Sequence, residues 1–255
     1  MFPICAHVLK NEKENDKVSL LSLSLKMPDA LAGQFVMAWL PGHDEKPMSI
    51  AETKPSLQLA IARAGPVSTA LANLKKGDEI FIRGPFGKPF MPYGKKWLLV
   101  GGGYGFAPLR FLARAGIENK KNVQCILGAR SRGLLMKIPA KCKTHICTDD
   151  GSCGTKGNVL ASLEPLLKKE KFDCIYSCGP EKMMHAVAIA CKKRHVRCQL
   201  SVERYMKCGF GVCGHCAMGC WLSCIDGPTI DGEEALANPE FGKCYVDKAG
   251  RKIKV

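Results

Sequence analysis

The chain has 255 residues, 46% of them apolar and 24% charged, with a net charge of +15. That length supports two or three small domains with a sizeable core, and the balance is ordinary for a soluble globular protein. Its longest apolar runs, such as 97–109, are broken by glycine and too short to span a bilayer, and its lysines are scattered rather than gathered in an arginine-rich arm or zinc-finger spacing, which excludes a membrane span and gives no sign of nucleic-acid binding.

The N-terminus "MFPICAHVLKNEKEND" lacks a basic segment followed by an apolar one, so a cytoplasmic protein is expected. Residues 1–92 read as β-rich. "ICAHVLKNE", "KVSLLSLSLK", "GQFVMAWLP", "MSIAETK", "LQLAIARA" and "DEIFIRGP" are short apolar and β-branched runs divided by Gly, Pro and Asp, the pattern of an antiparallel barrel or sandwich. One helix, "STALANLKK" (68–76), interrupts them, with Ser68 as its expected N-cap.

From 93 to 200 strands and helices alternate. "KWLLVGGG", "VQCILGAR", "DCIYSCGP" and "RCQLSVE" are strands, and "APLRFLARAGIE", "NVLASLEPLLKKE" and "EKMMHAVAIACKKR" are helices, which predicts a parallel sheet covered on both faces. The third segment, 201–255, has little periodicity. It carries "CGFGVCGHCAMGCWLSC" (208–224), five of the fifteen cysteines. The other ten often sit in apolar or strand-like contexts such as "VQCILGA" and "FDCIYSCGP", where a buried thiol acts as a small hydrophobe. A disulfide framework is not expected in a chain of this size without an export signal.

Three features carry chemistry. "LLVGGGYGFAPL" sets Gly101, Gly102, Gly103 and Gly105 between a strand and a helix, where backbone N–H groups can approach a pyrophosphate. Cys178-Gly179-Pro180 falls at the carboxyl end of a later strand, where open α/β sheets bind ligands. In the β-rich part, "DEKPMSIAE" and "RGPFGKPF" offer Lys46 with Ser49, and glycines 84 and 87 in a turn. Cys208, Cys213 and Cys216 then give C-x4-C-x2-C, the plant-type [2Fe–2S] spacing, with Cys220 or Cys224 as fourth ligand. Structural zinc on four thiolates is the rival, but zinc commonly takes two C-x2-C knuckles and only one is present. His215 has no second histidine nearby to make a Rieske centre, and Met183 and Met184 read as packing residues.

In this order and spacing, the motifs resemble the ferredoxin–NADP reductase superfamily. "GQFVMAWLPGHDEKPMSI", "TDDGSCGTKG" and "ERYMKCGFGVCGHC" resemble its iron–sulfur branch, the electron-transfer subunits of dihydroorotate dehydrogenase B and the related γ subunits of sulfhydrogenases. The resemblance implies an FAD-binding barrel, an α/β domain for NAD(H) and a small [2Fe–2S] domain. It assigns Lys46, Pro47, Met48 and Ser49 to the flavin strand, with lysine where the family has arginine. Gly65 and Ser68 match a phosphate-binding helix start, and Gly84, Pro85 and Gly87 would lie near the flavin. Gly102, Gly103 and Gly105 would cradle the nucleotide pyrophosphate, and Cys178 and Gly179 would lie by the nicotinamide, Cys178 as the catalytic residue. Asp149 and Asp150 favour NADH, while Arg130 and Arg132 argue for NADPH. The family's last ligand precedes Asp-Gly-Pro, which selects Cys224 and leaves Cys220 spare.

The implied partner is an FMN-containing dihydroorotate dehydrogenase catalytic subunit, in a heterotetramer. The seven-residue interval before Cys224 favours instead a γ-type NAD(P)H-oxidoreductase subunit of a sulfhydrogenase or ferredoxin-linked complex. A zinc-stabilised binding module is the third possibility.

Overall fold

The computed structural model describes residues 2–254. Strands β1 (Ile4–Lys13), β2 (Val18–Leu23), β3 (Phe35–Trp39), β4 (Lys46–Glu52), β5 (Gln58–Ala62) and β6 (Glu79–Phe86) close an antiparallel barrel in the order β1-β2-β5-β4-β3-β6. The reason is alternation: Ala6 and Val8, Leu21 and Leu23, Leu59 and Ile61, and Ile80 and Ile82 are two apart and buried. Closure satisfies both edges of a sheet that would otherwise expose unpaired backbone.

Helix α1 (Pro66–Ala72) begins before the expected position. Gly65, not Ser68, is the N-cap, because Pro66 needs no N–H partner and its fixed φ starts the first turn. Ser68 lies three residues in, and its Oγ accepts from the N–H groups of Ala64 and Gly65 at 3.1 and 3.0 Å.

The second layer contains β7 (Lys96–Gly102), α2 (Phe106–Glu118), β8 (Asn122–Ala129), β9 (Lys143–Thr148), β10 (Thr155–Lys156), α3 (Leu160–Lys169), β11 (Cys174–Cys178), α4 (Glu181–Lys193) and β12 (Arg197–Ser201). Of these, β9 and β10 were not expected: "KTHICT" has no apolar run, and only Cys147 and Thr148 of β9 are buried. The parallel strands run β10-β9-β8-β7-β11-β12. The chain therefore leaves β7 toward β8 on one side and later returns to β11 on the other, making a switch point between β7 and β11.

Helix α2 fills the space between sheet and barrel. Phe106, Leu109 and Leu112 share one core with Ile50 and Leu59 of the barrel. Arg110 of α2 pairs with Glu14 at 3.2 Å, both buried, and Arg114 pairs with Glu52 at 2.7 Å. The opposite face of the sheet packs on α3 and α4 through Leu163, Met184 and Val187.

The last segment adds β13 (Ala217–Met218), β14 (Trp221–Leu222), β15 (Thr229–Asp231), α5 (Gly232–Ala237), β16 (Cys244–Val246) and β17 (Lys252–Lys254). Beyond the cluster loop it is not a separate layer. β15 joins the large sheet antiparallel to β12, pairing Leu200 with Ile230, and Lys88 N–H donates to the Gly227 carbonyl at 2.5 Å.

Candidate functional site

At the switch point the two glycine-bearing loops press together. A Cβ on Gly102 would meet Met183 Sδ at 2.6 Å, and one on Gly105 would meet Gly179 Cα at 2.6 Å. Only glycine allows this approach, and Met183, read from sequence as packing, wedges against it. Gly103 differs: its φ is +55° and nothing lies within 4 Å of its missing Cβ, so its open side is free to receive a ligand. This is a cradle of the kind a pyrophosphate fits.

Cys178 ends β11 at this point, paired in register with Gly101 and Ser201. Burial and the nearby Glu203 push its thiol up to about 12, so it is a neutral S–H rather than a thiolate. Glu203 itself is reached by solvent, yet the surrounding protein raises its carboxyl, with a Tyr104 hydrogen bond opposing. Tyr104, in the glycine loop, is pushed up to about 12, chiefly by the charge of Glu203. Sequence reasoning passed over both residues, although Tyr104 interrupts a glycine run and Glu203 is acidic just past the end of a buried strand.

On the neighbouring rim Asp149 and Asp150 follow β9. Asp150 accepts from Ser152 N–H at 2.9 Å and Ser152 O–H at 2.6 Å, which holds its carboxyl below the usual range. Ser152 Oγ also accepts from the Arg132 backbone N–H at 2.8 Å, which ties the loop after β8 to the loop after β9.

Lys46, Pro47, Met48 and Ser49 all lie on β4 and are half-buried. Lys46 Nζ sits 5.0 Å from the Tyr205 ring centroid and 3.4 Å from its hydroxyl, with Asp44 at 3.8 Å. Gly65 has open space where a Cβ would be, beside the Ser68 hydroxyl. Gly84 and Pro85 lie within β6 and Gly87 just beyond it, and a Cβ on Gly87 would strike Gly227 O at 2.7 Å. The close approach at Gly87 is thus made by the cluster segment.

The thiols form two pairs. Cys216 and Cys224 are buried with their sulfurs 3.4 Å apart, and Cys208 hydrogen-bonds Cys213. Among the described residues no three of these sulfurs lie within 4.8 Å of one another. A tetrahedral zinc with bonds near 2.3 Å would bring all four within about 3.8 Å. Two separated pairs instead suit a centre with two metals, as in [2Fe–2S]. Burial alone would raise the Cys208 thiol, but the N–H groups of Phe210, Cys213 and Val212 hold it down at about 6. Gly211 N–H donates to Cys224 Sγ at 3.2 Å, while burial and the adjacent Cys216 push Cys224 up to about 12. The loop therefore turns backbone donors toward sulfur, as a buried anionic cluster requires. Cys220 is exposed and outside both pairs.

This loop is seated on the barrel. Phe35 and Met37 of β3 form one apolar cluster with Met206, Cys216 and Cys224. A Cβ on Gly209 would lie 2.8 Å from Met37 Cγ. Arg83 of β6 donates to the Cys208 carbonyl at 2.9 Å and to Glu45 at 2.7 Å. Its guanidinium also lies over Phe86 and Phe210. Nothing local in "RGPFGKPF" marks Arg83, because its partner lies 125 positions away.

A barrel with a half-buried flavin-type strand, a parallel sheet with a glycine cradle at its switch point, and a four-cysteine loop between them define a reductase of the ferredoxin–NADP reductase class. Residues 203–236 match the iron–sulfur cluster binding domain of dihydroorotate dehydrogenase B. The chain is 41% identical over 234 residues to a Methanocaldococcus jannaschii protein named "Probable dihydroorotate dehydrogenase B (NAD(+)), electron transfer subunit", covering 88% of each. A Methanopyrus kandleri protein of the same name is 38% identical, covering 98% of this chain and 97% of the other. The chain belongs to the family of dihydroorotate dehydrogenase B electron transfer subunits. Among solved structures it resembles a chain of an NADH-dependent reduced ferredoxin-NADP oxidoreductase, with TM-score 0.81, 29% identity, and coverage of 90% and 88%. Phthalate dioxygenase reductase shares the fold, with TM-score 0.61 and 18% identity over 74% of this chain and 64% of that one. No helix among the described residues is long and apolar enough to cross a membrane.

Proposed function

We propose that the chain carries electrons from an FMN-containing dihydroorotate dehydrogenase catalytic subunit to NAD⁺, through a [2Fe–2S] cluster and FAD, in cytoplasmic pyrimidine biosynthesis. The observation that carries the reading is the seat of the cluster loop on β3 and β6, where Arg83 binds the Cys208 carbonyl and Met37 meets Gly209. A cluster held there adjoins the barrel face that would hold FAD.

Bound FAD would exchange hydride on one side and single electrons on the other, chemistry that no side chain supplies. The chain's own residues place and tune. Lys46 and the start of α1, with Gly65 and Ser68, neutralise and orient a flavin pyrophosphate. Pro47, Met48 and Ser49, with Gly84, Pro85 and Gly87, border the ring. Gly103 would leave the opening for the NAD(H) pyrophosphate, Gly102 and Gly105 shape that loop by packing on Met183 and Gly179, and Asp149 and Asp150 favour a free ribose hydroxyl over a phosphate. Cys178 and Gly179 border the nicotinamide, the neutral thiol excluding water without adding charge. Cys208, Cys213, Cys216 and Cys224 are the cluster ligands.

A second reading, a γ-type subunit of a ferredoxin-linked complex, is favoured by the likeness to the ferredoxin-NADP oxidoreductase chain and by the short interval before Cys224. Anaerobic co-purification of the tagged chain from its native cells separates the two. Recovery of a flavoprotein partner with dihydroorotate-dependent NAD⁺ reduction is the expected result. Other iron–sulfur subunits, with no response to dihydroorotate, would overturn it.

A further inference from the structure

On the outer wall of the barrel, β1 turns Ala6 and Val8 inward and Cys5 and His7 outward. β6 runs antiparallel beside it, with His7 opposite Glu79 and Cys5 opposite Phe81. Cys5 and His7 therefore share one face with the glutamate directly across the ladder. The Cys5 sulfur, a His7 ring nitrogen and a Glu79 carboxylate oxygen all lie within 4.8 Å of one another. The backbone beneath is fixed, since His7 N–H donates to Ser24 Oγ at 2.8 Å and its carbonyl accepts from Ser24 N–H at 2.8 Å.

We propose that Cys5, His7 and Glu79 form a surface site for a divalent transition-metal ion, zinc in particular, with a fourth position open to water or an outside ligand. The donor set decides the metal class. A thiolate and an imidazole beside one carboxylate suit zinc and its neighbours, whereas calcium and magnesium demand oxygen cages. Metal–ligand bonds of about 2.0–2.3 Å place tetrahedral donors roughly 3.3–3.8 Å apart. All three side chains are exposed, so small rotamer changes close that gap with no packed neighbour to displace. Binding removes the thiol proton, so affinity rises with pH. The site bridges β1 and β6, the first and last strands of the barrel, and metal bound there favours the closed barrel by mass action.

The test uses holoprotein with verified iron content, titrated anaerobically with zinc chloride against a chromogenic chelator. One zinc per chain is expected. Cys5→Ser and His7→Ala should each weaken it by more than about 100-fold, beyond the 10–100-fold typical of outer-shell losses. Because these residues are exposed, both variants should melt like the parent in the absence of zinc. Peptide mapping gives a second readout: zinc should protect Cys5 from iodoacetamide in the parent and not in His7→Ala. Parental zinc affinity in both variants, or alkylation of Cys5 unchanged by zinc, would overturn the site.

Discussion

Cys216 Sγ lies 3.4 Å from Cys224 Sγ in a buried pair, while Cys220, between them in sequence, faces solvent. The fold separates two cysteines that spacing alone leaves equivalent. Cys224→Ser should therefore lose nearly all iron and acid-labile sulfide, and Cys220→Ser should keep both at parental levels. Iron analysis with visible spectra decides it; loss of the cluster in Cys220→Ser would sink this ligand set.

Arg83 ties the cluster loop to the barrel. Its side chain is 11% exposed and that of Glu45 22%, so their pairing is only weakly screened. Arg83→Met keeps the bulk while leaving the Glu45 carboxylate and the Cys208 carbonyl without their donor. A loss of about 2 kcal/mol in denaturant unfolding is expected, with faster release of iron. Adding Glu45→Gln should recover part of the stability and none of the iron retention, because the Cys208 carbonyl stays unbound. Iron release at the parental rate would contradict a tethering role.

The barrel and the parallel sheet were legible because both rest on local periodicity: Ala6 and Val8 alternate, and "WLLVGGG" is a buried run followed by a glycine turn. The C-x4-C-x2-C spacing announced the cluster for the same reason. What stayed hidden depends on distant partners. β9 is half-covered and has no apolar run, and β15 is a three-residue strand that exists only because β12 offers an edge. Arg83, Glu203 and Tyr205 take their roles from residues that the fold, not the sequence, brings near. Ser68 was misplaced as a cap because the N-cap preference for serine competed with the preference for proline in the first turn, and proline prevailed.

The glycine loop allows a sharp contrast. A Cβ on Gly105 would lie 2.6–2.8 Å from backbone atoms of Gly179 and Cys178, which cannot swing aside. Gly105→Ala should cost roughly 1–3 kcal/mol and push the two loops apart. The KM for NAD(H) should rise at least about tenfold, since loop misplacement of this size is known to be costly, while flavin content stays unchanged. Gly103→Ala meets no atom and suffers only its left-handed φ of +55°, so about 1 kcal/mol is expected. Equal stability losses in the two variants would mean that the approach to Gly179 is not tight.

Glu203 gives the pH dependence a sign. Protein packed around its carboxyl raises it above the ordinary 4.5 although the residue is reached by solvent, so the folded chain binds that proton more tightly than the unfolded one. Its contribution to stability is complete below the ordinary value and is lost as pH rises through the folded one. Glu203→Gln removes the titration and retains an oxygen to accept from Tyr104. The variant and parent should be equally pH-sensitive from other groups, but the variant should gain relative to the parent between about pH 4 and the raised folded value, and hold that lead above it. Denaturant unfolding across that range measures the difference. The same substitution removes the charge that chiefly raises Tyr104, so its phenol should titrate below about 12, closer to its ordinary 10, by ultraviolet absorbance. Parallel stability curves together with an unmoved Tyr104 would show that the two residues do not meet at the mouth of the site.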